Sequence, residues 1–208
     1  MSELAVRTLT GVVMIAIALI AAVQGGMLFA VFVALAATAM FYEWTRIVKG
    51  WGLAWPIAGF LYALLPALAL LWIRERGSLE LLIWAFIVTW STDIGAYFAG
   101  RAFGRRKLAP SISPGKTVEG LYGGMAAAAL LGGAWVWAMG LGPWLLVCAP
   151  IFAAAAQAGD LFESSLKRRA GVKDSGNWLP GHGGVLDRLD GLVPVAILTA
   201  LAQIAGLS

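Results

Sequence analysis

An all-α bundle of about seven membrane-crossing helices is the fold this sequence predicts. Three observations carry it. The chain is 61% hydrophobic and 12% charged, with a mean hydropathy of +0.84, whereas soluble domains carry about 25% charged residues. Apolar runs close to the ~20 residues needed to cross a hydrocarbon core of about 30 Å recur along the chain. Those runs are continuous and do not alternate, which disfavours a β-barrel. A single cysteine, Cys148, excludes an internal disulfide and a cysteine metal cluster. It falls in an apolar run and reads as a lipid-facing or packing residue.

Taken in order, the first span covers residues 8–24. No small-residue cleavage site ends it and a second span follows at once, so it is expected to be a retained helix, not a signal peptide. Gly25-Gly26 turns the chain into the second span, 27–42, giving a helical hairpin. Glu43 and Arg46, three apart, read as a solvated surface pair. Trp51 and Trp55 read as headgroup anchors. The third span, 55–73, has Pro56 at its start and Pro66 inside, where a proline kinks a helix. The fourth, 79–99, contains Asp93. After a basic loop the fifth span runs over 118–139, the sixth over 144–159 and the seventh over 192–207. With the N-terminus inside, only Arg74 and Arg76 of the fifteen Lys and Arg residues fall outside. That bias predicts a cytoplasmic N-terminus and two long cytoplasmic loops. The net charge of +4 would point to nucleic acid in a soluble protein; on these loops anionic lipid or phosphate is the better partner.

Three polar stretches interrupt the apolar pattern. In the first, Asp93 lies among apolar side chains, where a lone carboxylate must face a polar cavity or a cation. The alternatives are that it pairs with Arg101 or caps a neighbouring helix. In the second, Ser113-Pro114 reads as an N-cap followed by proline at the first helical position. Lys116 and Thr117 would then lie in the first turn of a helix whose free N–H groups form a phosphate site. In the third, a sixth helix continuing past Asp160 would align Asp160, Ser164 and Lys167 on one stripe. Asp187 and Asp190 share a face at the start of the last span. Asp160 and Asp187 are the leading pair for Mg²⁺, which takes one or two carboxylates plus substrate phosphates. A second cation beside it would let paired metals clamp an in-line displacement. Gly181, Gly183 and Gly184 would bring backbone N–H groups close to phosphate. His182, the only histidine, could serve as a base, a phosphate donor or a turn residue; a donor or orienting role is favoured. No second histidine exists for a zinc site.

The third stretch resembles the signature of the phosphatidate cytidylyltransferase (CDP-diacylglycerol synthase) family, met by Ser164, Leu166, Lys167, Arg168, Lys173, Asp174, Pro180, His182, Gly183, Gly184, Asp187, Arg188 and Asp190. The stretches around Asp93 and from Ile112 to Gly120 are similar to two further family segments. The resemblance implies an enzyme that transfers a cytidylyl group from CTP to phosphatidic acid, giving CDP-diacylglycerol and pyrophosphate. It implies Mg²⁺ on Asp160 and Asp187, with Lys167, Arg168, Lys173 and Arg188 around the phosphates and Lys116 opposite. Asp174, His182 and Asp190 would complete the catalytic set. Asp93, Ser113, Thr117, Ser164, Gly183 and Gly184 would line the substrate. Arg169 is set aside as a lipid-facing cation. A homodimer in the cytoplasmic membrane is expected on the same ground. The whole chain, 1–208, would form one integral membrane domain, with N-terminal spans in 1–78 and a catalytic core in 79–208 whose cytoplasmic loops are 100–117 and 161–190. The N-terminal half looks short for the family.

Two other classes compete. A transporter with an intramembrane Asp93 needs a polar route reaching both faces, yet the charges lie almost wholly on one. A non-catalytic lipid-binding scaffold needs no carboxylates at helix ends. The Asp-Gly-x-x-Ala-Arg run of the CDP-alcohol phosphatidyltransferases is absent from the sequence.

Overall fold

The computed structural model describes residues 3–179, 181 and 183–207, with side chains from Thr8 onward. Pro180 and His182 lie outside the described residues. In chain order the elements are α1 (Glu3–Gln24), α2 (Gly26–Ile47), α3 (Ala54–Arg76), α4 (Leu79–Phe103), β1 (Lys107–Ala109), β2 (Ser113–Thr117), α5 (Val118–Met139), α6 (Trp144–Arg169), α7 (Leu186–Leu189) and α8 (Leu192–Ile204). Five of them, α2 to α6, are long and apolar enough to cross a membrane. The chain is a multi-pass helical protein. The apolar part of α1, Thr8–Gln24, is shorter, and so is α8. At 1.5 Å per residue, the 13 residues of α8 reach about 20 Å, less than the hydrocarbon thickness.

The hairpin of α1 and α2 closes at Gly25, whose φ of 64° suits glycine. The end of α1 is held from α3: Arg74 Nε donates to the Ala22 carbonyl at 2.7 Å and Nη2 to Val23 at 3.2 Å. A cation there meets orphan carbonyls and the negative end of the helix dipole.

Helix α4 is the most buried of the five long helices. Its hydroxyls are satisfied within the helix, Thr89 donating to Ala85 at 2.9 Å and Thr92 to Val88 at 2.6 Å. That return to the preceding turn is what a polar side chain needs where water is excluded. Among the described residues α4 packs most extensively against α5. A Cβ on Gly95 would stand 2.7 Å from the Gly123 carbonyl oxygen and 2.5 Å from the Ala127 Cβ. Small residues let the two backbones touch, which drives association within lipid. Gly95→Ala must therefore push α5 away. We expect its thermal midpoint in detergent to fall by roughly 5 °C, an overpacking loss of about 1–3 kcal/mol.

The sequence expectation fails between α4 and α5. Ser113-Pro114 does not open a helix; it begins β2, paired antiparallel with β1 through Lys107 with Thr117 and Ala109 with Ser113. The helix starts four residues later, capped by Thr117, whose hydroxyl accepts from the Gly120 N–H at 3.0 Å. Two start signals compete here, and the second recruits more partners. With Val118 first in the helix, Glu119 falls in the opening turn and accepts from the Arg105 N–H at 3.0 Å and the Arg106 N–H at 3.2 Å. Pro114, lacking an N–H, is tolerated because a two-stranded hairpin has only edges. Lys116 thus projects from a strand, and the expected helix N-terminus at Ser113 does not exist.

Helix α6 does run on past Asp160, to Arg169. A second apolar cluster, including Met40, Trp44, Ala63, Leu166, Leu186 and Val193, ties α2, α3, α6, α7 and α8 together beneath the polar loops. Within it Trp44 fills the space left by Gly59 and donates Nε1–H to the Trp55 carbonyl at 2.8 Å.

Candidate active site

The predicted polar residues gather in two adjoining places and leave some members outside both. The first is a cavity of about 490 Å³ where α4, β2, α5 and α6 meet, lined by Asp93, Arg101, Ser113, Lys116, Thr117 and Asp160, among others. Lys116 Nζ lies 2.7 Å from Asp160 Oδ2 and 2.5 Å from Gln157 Oε1. Ser164 donates to Asp160 Oδ1 at 3.2 Å, one helical turn on. Asp93 opens into the same cavity. The pairing with Arg101 foreseen as one alternative is not seen among the described residues: that guanidinium donates to the Tyr97 hydroxyl at 3.1 Å. The cavity therefore sets two carboxylates and an ammonium around a space that could hold a phosphate chain.

The second place is a clasp of buried charge. Lys167 Nζ lies 2.5 Å from Glu163 Oε2 and 2.5 Å from Asp187 Oδ1. The other Asp187 oxygen accepts three bonds, from Gly184 N–H at 2.8 Å, Ser175 N–H at 2.9 Å and Ser175 Oγ at 3.0 Å. Burial alone would raise the Asp187 carboxyl; the hydrogen bond from Lys167, with those from the Gly184 and Ser175 amides, outweighs it and holds the group below the ordinary carboxylate range. Gly183 has a φ of 80°, and a Cβ there would stand 2.8 Å from Asp187 Oδ2. Here the glycine turn wraps a carboxylate, and the Gly184 N–H is committed to it.

Asp190, just past α7, accepts from the Gly191 N–H at 2.7 Å. Burial, and then the charge of Asp160, push its carboxyl up to about 7. Lys167 opposes that rise and Asp93 adds to it, so Asp190 feels both groups of charges.

The remaining candidates are dispersed. Arg168 donates from Nε to the Ile112 carbonyl at 3.1 Å, tying the end of α6 to the β1–β2 turn. Asp174 lines a separate polar hollow with Arg46 and Ser175. Lys173 is exposed. Arg188 borders an apolar groove that also involves Thr89, Trp90 and Val193. Arg169 stacks over Trp51 at 4.4 Å and Trp55 at 5.0 Å, away from both groups.

Four participants escaped the sequence reading. Glu43 is not a solvated partner of Arg46. It is 1% exposed and accepts from Ser175 Oγ at 2.8 Å, Val185 N–H at 3.0 Å and Leu186 N–H at 2.8 Å. No local spacing could reveal partners more than 130 positions away. Ser175 was hidden for the same reason. Glu163 did leave a signal, four residues before Lys167 on one helix face. So did Gln157, a polar residue one turn before Asp160.

Among the described residues no group of three or more histidine, cysteine or acidic side chains is poised to hold a metal. A cation here would take its remaining ligands from substrate or water, as Mg²⁺ commonly does.

Known proteins supply the remaining observation. Residues 49–204 match the model of the cytidylyltransferase family. A phosphatidate cytidylyltransferase of Brucella suis biovar 1 is 39% identical over an alignment of 253 residues, taking in 97% of this chain and 93% of the relative. That alignment is longer than the 208-residue chain, so the relative carries internal residues that this chain omits. One of Pseudomonas aeruginosa is 42% identical over 178 residues, covering 82% of this chain and 66% of the relative. One of Bacillus subtilis is 48% identical over 119 residues, covering 56% and 44%. With its charged cavity and clasp inside an apolar helical bundle, and with this degree of likeness, the chain belongs to the cytidylyltransferase family.

Proposed function

We infer that this protein transfers a cytidylyl group from CTP to phosphatidic acid, releasing pyrophosphate and forming CDP-diacylglycerol. A phosphate oxygen of the lipid attacks the α-phosphorus of CTP. The bond from that phosphorus to the α,β-bridging oxygen breaks, and its electron pair leaves with pyrophosphate. The observation that carries the reading is the cavity in which Lys116, Asp160 and Asp93 meet at the edge of a membrane bundle, in a chain 39% identical to a phosphatidate cytidylyltransferase across nearly its whole length.

The acceptor, a phosphate monoester, is already a nucleophile near neutral pH, so the work falls to positioning and to stabilising negative charge. Lys116 Nζ, on the cavity wall, is placed to donate to triphosphate oxygens. Ser164 orients the Asp160 carboxylate. Arg101 and Ser113 supply further donors around the same space. Lys167 fixes Asp187 beside it. Oxygen donors of this kind suit Mg²⁺, which would neutralise the phosphates when bound; Asp160, which lines the cavity, would hold it, and Asp187, outside that lining, could join only by giving up bonds from Lys167, Ser175 or Gly184. Arg188, at the rim of the apolar groove, is placed for the headgroup of a lipid whose acyl chains stay in the bilayer. The distribution of basic residues supports an active site facing the cytoplasm, in the cytoplasmic membrane. It favours phosphate and anionic lipid over nucleic acid as partners. Homodimerisation rests on family resemblance, and a monomer by native mass in lipid would remove it.

The test is label transfer by purified protein in mixed micelles with phosphatidic acid, Mg²⁺ and α-labelled CTP, with UTP and dCTP as competitors. Label in CDP-diacylglycerol is expected. A folded protein that transfers none under any metal or nucleotide overturns the reading, and flux measurements would then test a transporter.

A further inference from the structure

We propose that Glu43 is a positioning residue for this reaction, clamping the 175–186 loop from the second helix and holding Asp187 in place through Ser175. Its functional half rests on the transferase reading above; its structural half does not.

A carboxylate 1% exposed near the end of an apolar helix is expensive unless its oxygens are fully hydrogen-bonded. Here they are. Oε1 accepts from the Val185 N–H, and Oε2 accepts from the Leu186 N–H and Ser175 Oγ. The two amides lie at the opening of α7, where a backbone N–H has no acceptor of its own within the helix. One side chain of α2 thus gathers three donors from a loop more than 130 residues away.

The space around it is shaped for that carboxylate. A Cβ on Gly176 would collide with Glu43 Oε1, and one on Gly184 would collide with Ser175 Oγ and Glu43 Oε2. Any side chain at either glycine would evict it. Ser175 then carries the restraint onward. Its hydroxyl lies 2.8 Å from Glu43 Oε2 and 3.0 Å from Asp187 Oδ2, and its amide donates to that same Asp187 oxygen at 2.9 Å. One hydroxyl proton serves both carboxylates by turns, so each fixes the position of the donor the other uses. Glu43 does not line the 490 Å³ cavity. It acts on Asp187 through the loop. A well-packed apolar residue would stabilise α2 at least as well as a buried charge, which leaves the loop as the reason for a carboxylate here.

The experiment uses the full chain in detergent and compares wild type, Glu43→Gln, Ser175→Ala and the double variant. Glutamine keeps the size but presents an NH₂ group to a loop donor. In Glu43→Gln, hydrogen exchange should accelerate roughly tenfold or more in peptides spanning 175–186 while α4 and α5 keep wild-type protection. The rate constant kcat should fall roughly a hundredfold, with KM for CTP changed little, since the loss is one of alignment. The double variant should transfer label no more than about threefold slower than Glu43→Gln, because both changes cut one chain of contacts. Wild-type exchange in 175–186, exchange raised equally in α4 and α5, or losses that multiply in the double variant would each overturn the clamp. Absence of transfer by the wild type would sink the transferase reading, and the exchange result would still decide whether Glu43 holds the loop.

Discussion

Asp160→Asn should lower label transfer into CDP-diacylglycerol about a thousandfold while leaving the protein folded. The size follows from what the charge is asked to do. A carboxylate that holds a cation against reacting phosphates supplies several kcal/mol of charge stabilisation, and about 4 kcal/mol is three decades in rate. The stability change is small because Asp160 is partly open. Its side chain is 31% exposed and that of its partner Lys116 is 16% exposed; such a pair contributes at most about 1 kcal/mol. Asparagine keeps an oxygen for Ser164, so the helix loses little. The measurement is turnover in mixed micelles beside a thermal midpoint of the same preparation. Undiminished transfer by folded Asp160→Asn would remove this residue from the metal pair. Asp187→Asn should behave differently. It loses turnover too, but it also places an NH₂ group among the donors from Lys167, Ser175 and Gly184, so its midpoint drops as well.

How legible the molecule was depended on the range of each interaction. Helices α1 to α6 could be read from continuous apolar runs, because in lipid a backbone has few ways to satisfy its own polar groups. The end of α5 at Met139 was placed to the residue, since Gly140 stops the helix with a φ of 66°. The stripe of Asp160, Ser164 and Lys167 was legible as helical spacing, yet its last member turns to Glu163 and Asp187 and not to Asp160. Spacing gives a face of a helix and cannot give the partner. The start of α5 was misread because Ser113-Pro114 satisfies the local rules, while the hairpin pairing that overrides it is a contact between segments. Glu43 is the clearest case. A carboxylate three residues from an arginine looks like a surface pair, and only the return of the loop in three dimensions makes it a buried acceptor.

Lys167→Met should cost both the fold and the reaction, and a second substitution should separate the two. The ammonium sits between Glu163, whose side chain is fully buried, and Asp187, which is 6% exposed. Removing one member of a buried ionic cluster leaves charges stranded, at about 3–5 kcal/mol. For a chain of this size that lowers the thermal midpoint by roughly 10 °C or more. Glu163 should suffer most. Its carboxylate oxygens have no hydrogen-bond donor among the described residues beyond the ammonium itself. Adding Glu163→Gln to Lys167→Met should therefore restore much of the midpoint, because the worst stranded charge is gone. It should restore no turnover, because Asp187 Oδ1 still lacks the cation that fixes it. Thermal unfolding and label transfer on the single and double variants decide the matter. Recovery of both together would mean that Lys167 matters to stability alone. Recovery of the midpoint without turnover places it in the machinery that aligns Asp187 with the reacting phosphates.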